Sequence, residues 1–406
     1  MSRVRVPIEE ICAAVRGLRV GLLTNGTFWL EEAGDDLTGL VKGACRELVV
    51  LYSEHGPRGC EGGGEAGARD FDPYLGCEVR LLPLLSDHRD SDLVADLDLL
   101  IVGMPDIGCR HYTYKASASH LLELAAQVGR PVVVVDFPTP VGGALVEGNF
   151  PDPAYYPKMA AQEDQTFAWS WFGAPLTYRH GMTMGELALY AREHLKLELD
   201  LRVLKLAGWR REFWWSDTGW PYIPQDPTIT AHDTPGYFLC TGLFQGTTLS
   251  WGIGASEPFR VLGAPWIEDD RLLRALRAHN LPGLTFSRAA YMPRWSGEQN
   301  LWGRYAYEVC NGVRLHITDR QALRTAQVQI TLLVEMFRLY PDQFRFEHFD
   351  FFGTNDRTDH GPTDHRLEDE QWTNRLEAGE GVEAIWSEWQ AASREFDARR
   401  QPYLLY

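Results

Sequence analysis

The chain has 406 residues, 45% hydrophobic and 23% charged, with a formal net charge of -17. That length exceeds what one hydrophobic core usually supports, so two domains are expected. The negative charge argues against a general nucleic-acid partner, which needs a positive surface, and no apolar run is long enough for a bilayer.

The N-terminal stretch carries acids inside its only apolar region and no small-residue cleavage site, so no secretion signal is expected and the protein reads as cytoplasmic. The seven cysteines are scattered and form no CxxC pair. Cys12, Cys45, Cys109 and Cys240 sit among apolar neighbours and read as reduced core residues. Apolar, β-branched runs at 19–23, 47–52, 99–103 and 132–136 read as strands. Between the last two, "KASASHLLELAAQVG" has helical spacing and closes on a glycine. Continuous apolar strands alternating with helices predict an α/β fold, a parallel sheet covered on both faces.

Each of the four runs ends in a polar, turn-forming loop: "TNGT" at 24–27, "SEHG" at 53–56, "PDIGCRHY" at 105–112 and "DFPTP" at 136–140. Ligands of open parallel sheets bind beyond the carboxyl ends of the strands, so these loops predict one composite site. Glu54 lies there beside His55 and Arg58, and Asp106 and Asp136 leave neighbouring strand ends, so either could face it. Asp136, placed before a proline-containing turn, is also suited to bonding its own backbone. No GxGxxG fingerprint follows the first strand, no Walker-type loop is present, and no nucleotide cofactor is expected.

Further along, "TYRHGMTMGELALYAREHLKL" gives a helix whose Thr183 and Glu186 have capping-box spacing. Arg179 and His180 fall just outside its start and are site candidates. The stretch 208–222 holds four of the 14 tryptophans, expected chiefly to anchor an irregular loop on the core. Past residue 263 the pattern changes. "RLLRALRAHNLPG" reads as a helix closed by glycine, "YEVCNGVRLHITD" as strands around an Asn-Gly turn, and "AQVQITLLVEMFRLYP" as a helix ended by proline. A last helix presents Val382, Ile385, Trp386, Trp389 and Phe396 on one face. The expected division is residues 1–262 and a smaller α+β domain, 263–406. The His- and Asp-rich segment 347–366 matches no metal-ligand spacing and reads as a solvated loop, so no metal is expected.

The motifs "RVGLLTNGT", "EHGPRG", "DIGCRHYTY", "RHGMTMGELA", "GVRLHITDR", "LYPDQF" and the terminal "YLLY" run in order over nearly the whole chain. Together they resemble the NamZ-type exo-β-N-acetylmuramidases. The resemblance implies a Rossmann-like domain carrying the active-site cleft, a smaller C-terminal domain, and release of terminal N-acetylmuramic acid from peptidoglycan fragments. It implies that Glu54 is the leading catalytic carboxylate, with Thr24, Asn25, Asp106, Arg110, Tyr112, Arg179 and His180 around a small carbohydrate substrate. The chain departs from the family pattern at Phe137 and Thr139, where arginine and asparagine are usual. It also departs at Gln245, Trp251, Ile253 and Glu257, where the family carries charged residues. The alternative that these departures raise is a carbohydrate-binding protein that keeps the cleft without the chemistry.

Overall fold

Strand residues that alternate between two apolar cores build the central sheet. The computed structural model describes residues 4–53, 55–59, 69–82, 88–150, 174–294, 304–345 and 370–406. In chain order the first half contains α1 (Ile8–Val15), β1 (Arg19–Leu23), a small hairpin β2 (Trp29–Leu30) and β3 (Asp35–Asp36), α2 (Leu37–Ala44) and β4 (Glu47–Tyr52). It continues through β5 (Arg69–Asp72), β6 (Cys77–Leu81), β7 (Leu99–Val102), α3 (Tyr114–Val128), β8 (Val132–Val135), α4 (Met184–His194) and β9 (Leu201–Leu204). Val49, Leu51, Leu100, Val102, Val132 and Val134 enter one core, and Val20, Leu22, Val50, Ile101, Val133 and Val135 enter the other. Side chains alternate across a strand, so runs this apolar require cover on both faces. Ile11, Val15, Leu37 and Val41 of α1 and α2 cover one face, while α3 and α4 cover the other.

The sheet order is β5-β6-β4-β1-β7-β8-β9. All neighbours from β6 to β9 pair in parallel, and β5 adds an antiparallel edge. The chain works outward from β1 through β4 to β6, then returns to β7 and continues to β9. This is the doubly wound Rossmann-type order, and its direction reverses between β1 and β7, where such folds open a crevice. The four strands expected from sequence form where expected, two of them one residue shorter. β5, β6 and β9 escaped because their patterns are weak: Glu78 and Arg80 interrupt β6, and β5 and β9 lie at the sheet edges with half or more of their residues open to water.

The second half contains α5 (Thr234–Thr241), β10 (Val261–Ala264), α6 (Asp269–Ala278), β11 (Leu284–Tyr291), β12 (Cys310–Ile317), α7 (Thr325–Leu339) and α8 (Val382–Arg400). The strands form an antiparallel sheet of order β10-β12-β11. The expected turn at Asn311-Gly312 is a correction: both residues lie inside β12, which is the central strand. Gly312 pairs with Gly263, and a Cβ there would sit 2.1 Å from Leu262 O. The glycine marks close backbone approach, with no reversal of the chain. α6 ends at Ala278, ahead of the expected Gly283 cap, and Asn280 takes the left-handed conformation (φ 48°) instead. Val382, Ile385, Trp389 and Phe396 of α8 join α3, α4 and α7 in one core, as its apolar face implied. Among the described residues no helix is long and apolar enough to cross a membrane.

Candidate active site

The crevice between β1 and β7 is framed by residues that reach it from four loops. Thr24 extends the ladder, its N–H donating to Leu51 O at 3.1 Å. Asn25 is fixed at both ends of its amide: Thr27 Oγ1 donates to Oδ1 at 2.6 Å, and Nδ2 donates to the backbone oxygen of Gln225 at 3.2 Å. Tyr114 donates to that same oxygen at 2.6 Å. Beside it, Tyr112 donates to Asp226 Oδ2 at 2.7 Å, while Asp226 Oδ1 accepts from the Thr228 N–H and hydroxyl and from the Ile229 N–H. Gly59 (φ 68°) packs here too, since a Cβ would lie 3.0 Å from Gln225 O and 3.1 Å from Asn25 O. The loops after β1, β4 and β7 therefore meet on residues 225–226. Sequence reading passed over this pair; the proline-flanked "PQDP" inside an irregular stretch was the available signal.

Asp106 and His180, 74 positions apart, meet in the interior. The Met182 N–H donates to His180 Nδ1 at 3.2 Å, which assigns the ring proton to Nε2; that proton is donated to Asp106 Oδ1 at 2.9 Å. The same oxygen accepts from the Gly108 N–H at 2.6 Å. Asp106 Oδ2 is buried and has no hydrogen-bond partner among the described residues. Burial lowers the His180 pKa against the opposing pull of Asp106, so the imidazole is neutral at neutral pH. Lys115, also fully buried, donates to Tyr112 O at 2.5 Å. Its pKa falls to about 8 because burial disfavours the ammonium, with Asp106 opposing the fall. The carboxyl group of Asp106 is thus fixed through one oxygen, while the other has no partner among the described residues, an exception to the rule that buried polar groups are paired.

The remaining candidates divide by what they hold. Arg110 donates to Asn149 O (2.6 Å) and Leu176 O (3.2 Å), tying the β7 loop to the wall behind it. Arg179 donates to Glu147 Oε2 at 3.0 Å and Val141 O at 2.7 Å, and its backbone bridges both Cys109 and Glu147. Asp136 accepts four hydrogen bonds, from the N–H groups of Phe137 and Gly185 and the hydroxyls of Thr183 and Tyr406. Its own-backbone bond, anticipated from the turn, is thus present. Arg58 turns toward the outer sheet edge, 3.8 Å from Asp72 and stacked over Tyr74. His55 holds a left-handed backbone (φ 69°), uncommon for a residue with a Cβ. Glu54 and segment 347–366 lie outside the described residues.

The positions that depart from the family motifs fill space. Phe137 is buried and stacks on Phe28, and Trp251 and Ile253 join the core. Thr139 donates to Met182 O, Gln245 donates to Gly242 O, and Glu257 pairs with Arg314 at 2.7 Å. The tryptophans of 208–222 anchor the loop: Trp209, Trp214 and Trp215 are buried, and Trp220 donates to Val4 O. Cys109 and Cys240 are buried; Cys12 and Cys45 are half-buried.

Sequence profiles of the exo-beta-N-acetylmuramidase NamZ family match the chain twice, the N-terminal profile over residues 20–233 and the C-terminal profile over 237–406. The chain belongs to the NamZ family. A relative, the peptidoglycan beta-N-acetylmuramidase NamZ of Bacillus subtilis, is 29% identical over 394 residues, covering 97% of this chain and 88% of its own. Two crystal structures of DUF1343 family proteins from Bacteroides fragilis share the fold of this NamZ family member. One has a TM-score of 0.80 and 25% identity, the other 0.71 and 22%, each alignment covering 100% of this chain and 99% of that one.

Proposed function

We propose that this NamZ family member is an exo-acting glycoside hydrolase that releases a terminal N-acetylmuramic acid or related amino sugar from peptidoglycan-derived glycans. Glu54 is assigned as the leading catalytic carboxylate and Asp106 as its partner. The observation that carries the reading is the Asp106 side chain on the loop after β7, with Oδ1 held by Gly108 and neutral His180 and Oδ2 without a partner among the described residues. Glycoside hydrolysis ordinarily uses two carboxyl groups, one giving a proton to the leaving oxygen and one acting as base or nucleophile. Family membership supports the amino-sugar class.

A panel of chromogenic glycosides of N-acetylmuramic acid, N-acetylglucosamine and glucose tests the assignment. Glu54→Gln is expected to lower kcat at least about a hundredfold while the protein remains folded by circular dichroism. Wild-type turnover in that variant removes Glu54 from the mechanism. Silence of the unmodified protein across the panel, with sugar binding retained, would transfer the cleft to the binding alternative.

A further inference from the structure

His180 is buried and both of its ring nitrogens are occupied. Nδ1 accepts from the Met182 N–H at 3.2 Å, and Nε2 donates to Asp106 Oδ1 at 2.9 Å. The ring closes a hydrogen-bonded cycle with Gly108. The His180 N–H donates to Gly108 O at 3.3 Å, and the Gly108 N–H donates to that same Oδ1 at 2.6 Å. Gly108 holds φ at 89°, and a Cβ there would lie 2.8 Å from Val141 Cγ2, so the position suits only glycine. Behind the ring the chain is braced. Gly181 is left-handed (φ 60°), and its oxygen accepts from Arg211 at 2.5 Å and from Arg400 of α8, which also reaches His180 O at 3.5 Å.

We propose that His180 is a positioning residue, acting on the reaction through Asp106 without touching the sugar. Two N–H donors fill the lone-pair sites of Oδ1, so a proton carried by Asp106, or a bond it makes to substrate, falls to Oδ2. The imidazole thereby sets which carboxyl oxygen works and how the carboxyl plane is turned, and the braced backbone behind it holds that setting. This role differs from the substrate contact that the family resemblance implies for His180. It rests on the reading of Asp106 as the partner of Glu54.

Two variants of the full chain separate this role from a merely structural one. His180→Asn keeps an acceptor for the Met182 N–H but is too short to reach Asp106, and His180→Gln keeps a donor at about the reach of Nε2. With the chromogenic N-acetylmuramic acid glycoside, His180→Asn is expected to lower kcat about tenfold to a hundredfold with KM within about threefold, and His180→Gln to recover most of that loss. In an Asp106→Ala background, His180→Asn is expected to cost less than about threefold, because the group it positions is gone. A loss of equal size with and without Asp106, or a raised KM at parental kcat, overturns the proposal. Should His180→Asn not fold, His180→Gln decides: a folded variant within about tenfold of the parental kcat supports the role, and a slower one overturns it. Parental turnover in Asp106→Ala removes Asp106 from the mechanism and His180 with it, leaving Glu54 in place. An unmodified chain that hydrolyses no glycoside overturns both the role and the glycosidase reading.

Discussion

Burial sets the charge of the site's side chains, and in different directions for different groups. Asp136 accepts four hydrogen bonds that favour its anion, yet complete burial outweighs them and pushes its pKa up to about 6. A carboxyl whose folded pKa lies above its unfolded value of 3.8 contributes stability at low pH and loses that contribution as pH rises through 6. His180 behaves oppositely: its lowered pKa makes the fold lose stability as pH falls below 6.5. Comparing unmodified protein with Asp136→Asn cancels the histidine. Urea titrations should then show the stability advantage of the aspartate shrinking by on the order of 3 kcal/mol between pH 4 and 7. A difference that is flat across that window would mean Asp136 is ionised throughout.

Among elements, the site's geometry depends on loops stitched by buried ions. Glu147 Oε2 accepts from Arg179, from the Thr325 N–H at 3.1 Å and from the Thr325 hydroxyl at 2.9 Å. One carboxylate thus joins the segment ahead of α4 to the N-terminus of α7, where a negative charge also meets the positive end of the helix dipole. Glu147→Ala would leave the Arg179 guanidinium buried without its counter-ion. The expected cost is about 3–5 kcal/mol, measured by chemical denaturation, with Asp106–His180 geometry disturbed because Arg179 and His180 are adjacent. Stability within about 1 kcal/mol of the parent would show that the clasp is incidental. The capping box at Thr183 and Glu186, read from spacing alone, has a second duty: Glu186 also accepts from Arg211 at 2.7 Å and from the Leu405 N–H at 2.8 Å.

Across the whole molecule, the C-terminal end of the chain closes on residues from its middle. Tyr406 accepts from the Leu206 N–H and donates to Asp136, each at 2.8 Å, and Arg400 reaches Gly143 O and Gly181 O from α8. Tyr406→Phe deletes one hydroxyl 270 residues from its partner. It should cost about 1–2 kcal/mol in thermal unfolding and raise the Asp136 pKa further, since an anion-favouring donor is lost. An unchanged melting curve would show that the terminal contact contributes nothing.

Much of this molecule is written locally. β1, β4, β7 and β8 follow from apolar runs that only a doubly covered parallel sheet can bury, and the polar loops at their ends carry Thr24, Asn25, Asp106 and Tyr112. Period and turn chemistry act over a few residues, so one sequence suffices to read them. The order of strands was another matter. That β1 and β7 flank the reversal, that Gln225 and Asp226 close over it, and that Arg179 and Asp136 are spent on internal bonds all depend on contacts between residues tens to hundreds of positions apart. Asn311-Gly312 carries the signal of a turn, and only pairing with β10 and β11 turned it into mid-strand. Sequence determined which side chains could do chemistry; the tertiary structure decided which of them remain unpaired to do it, because a hydrogen bond is satisfied by whatever lies 3 Å away in space, however distant along the chain.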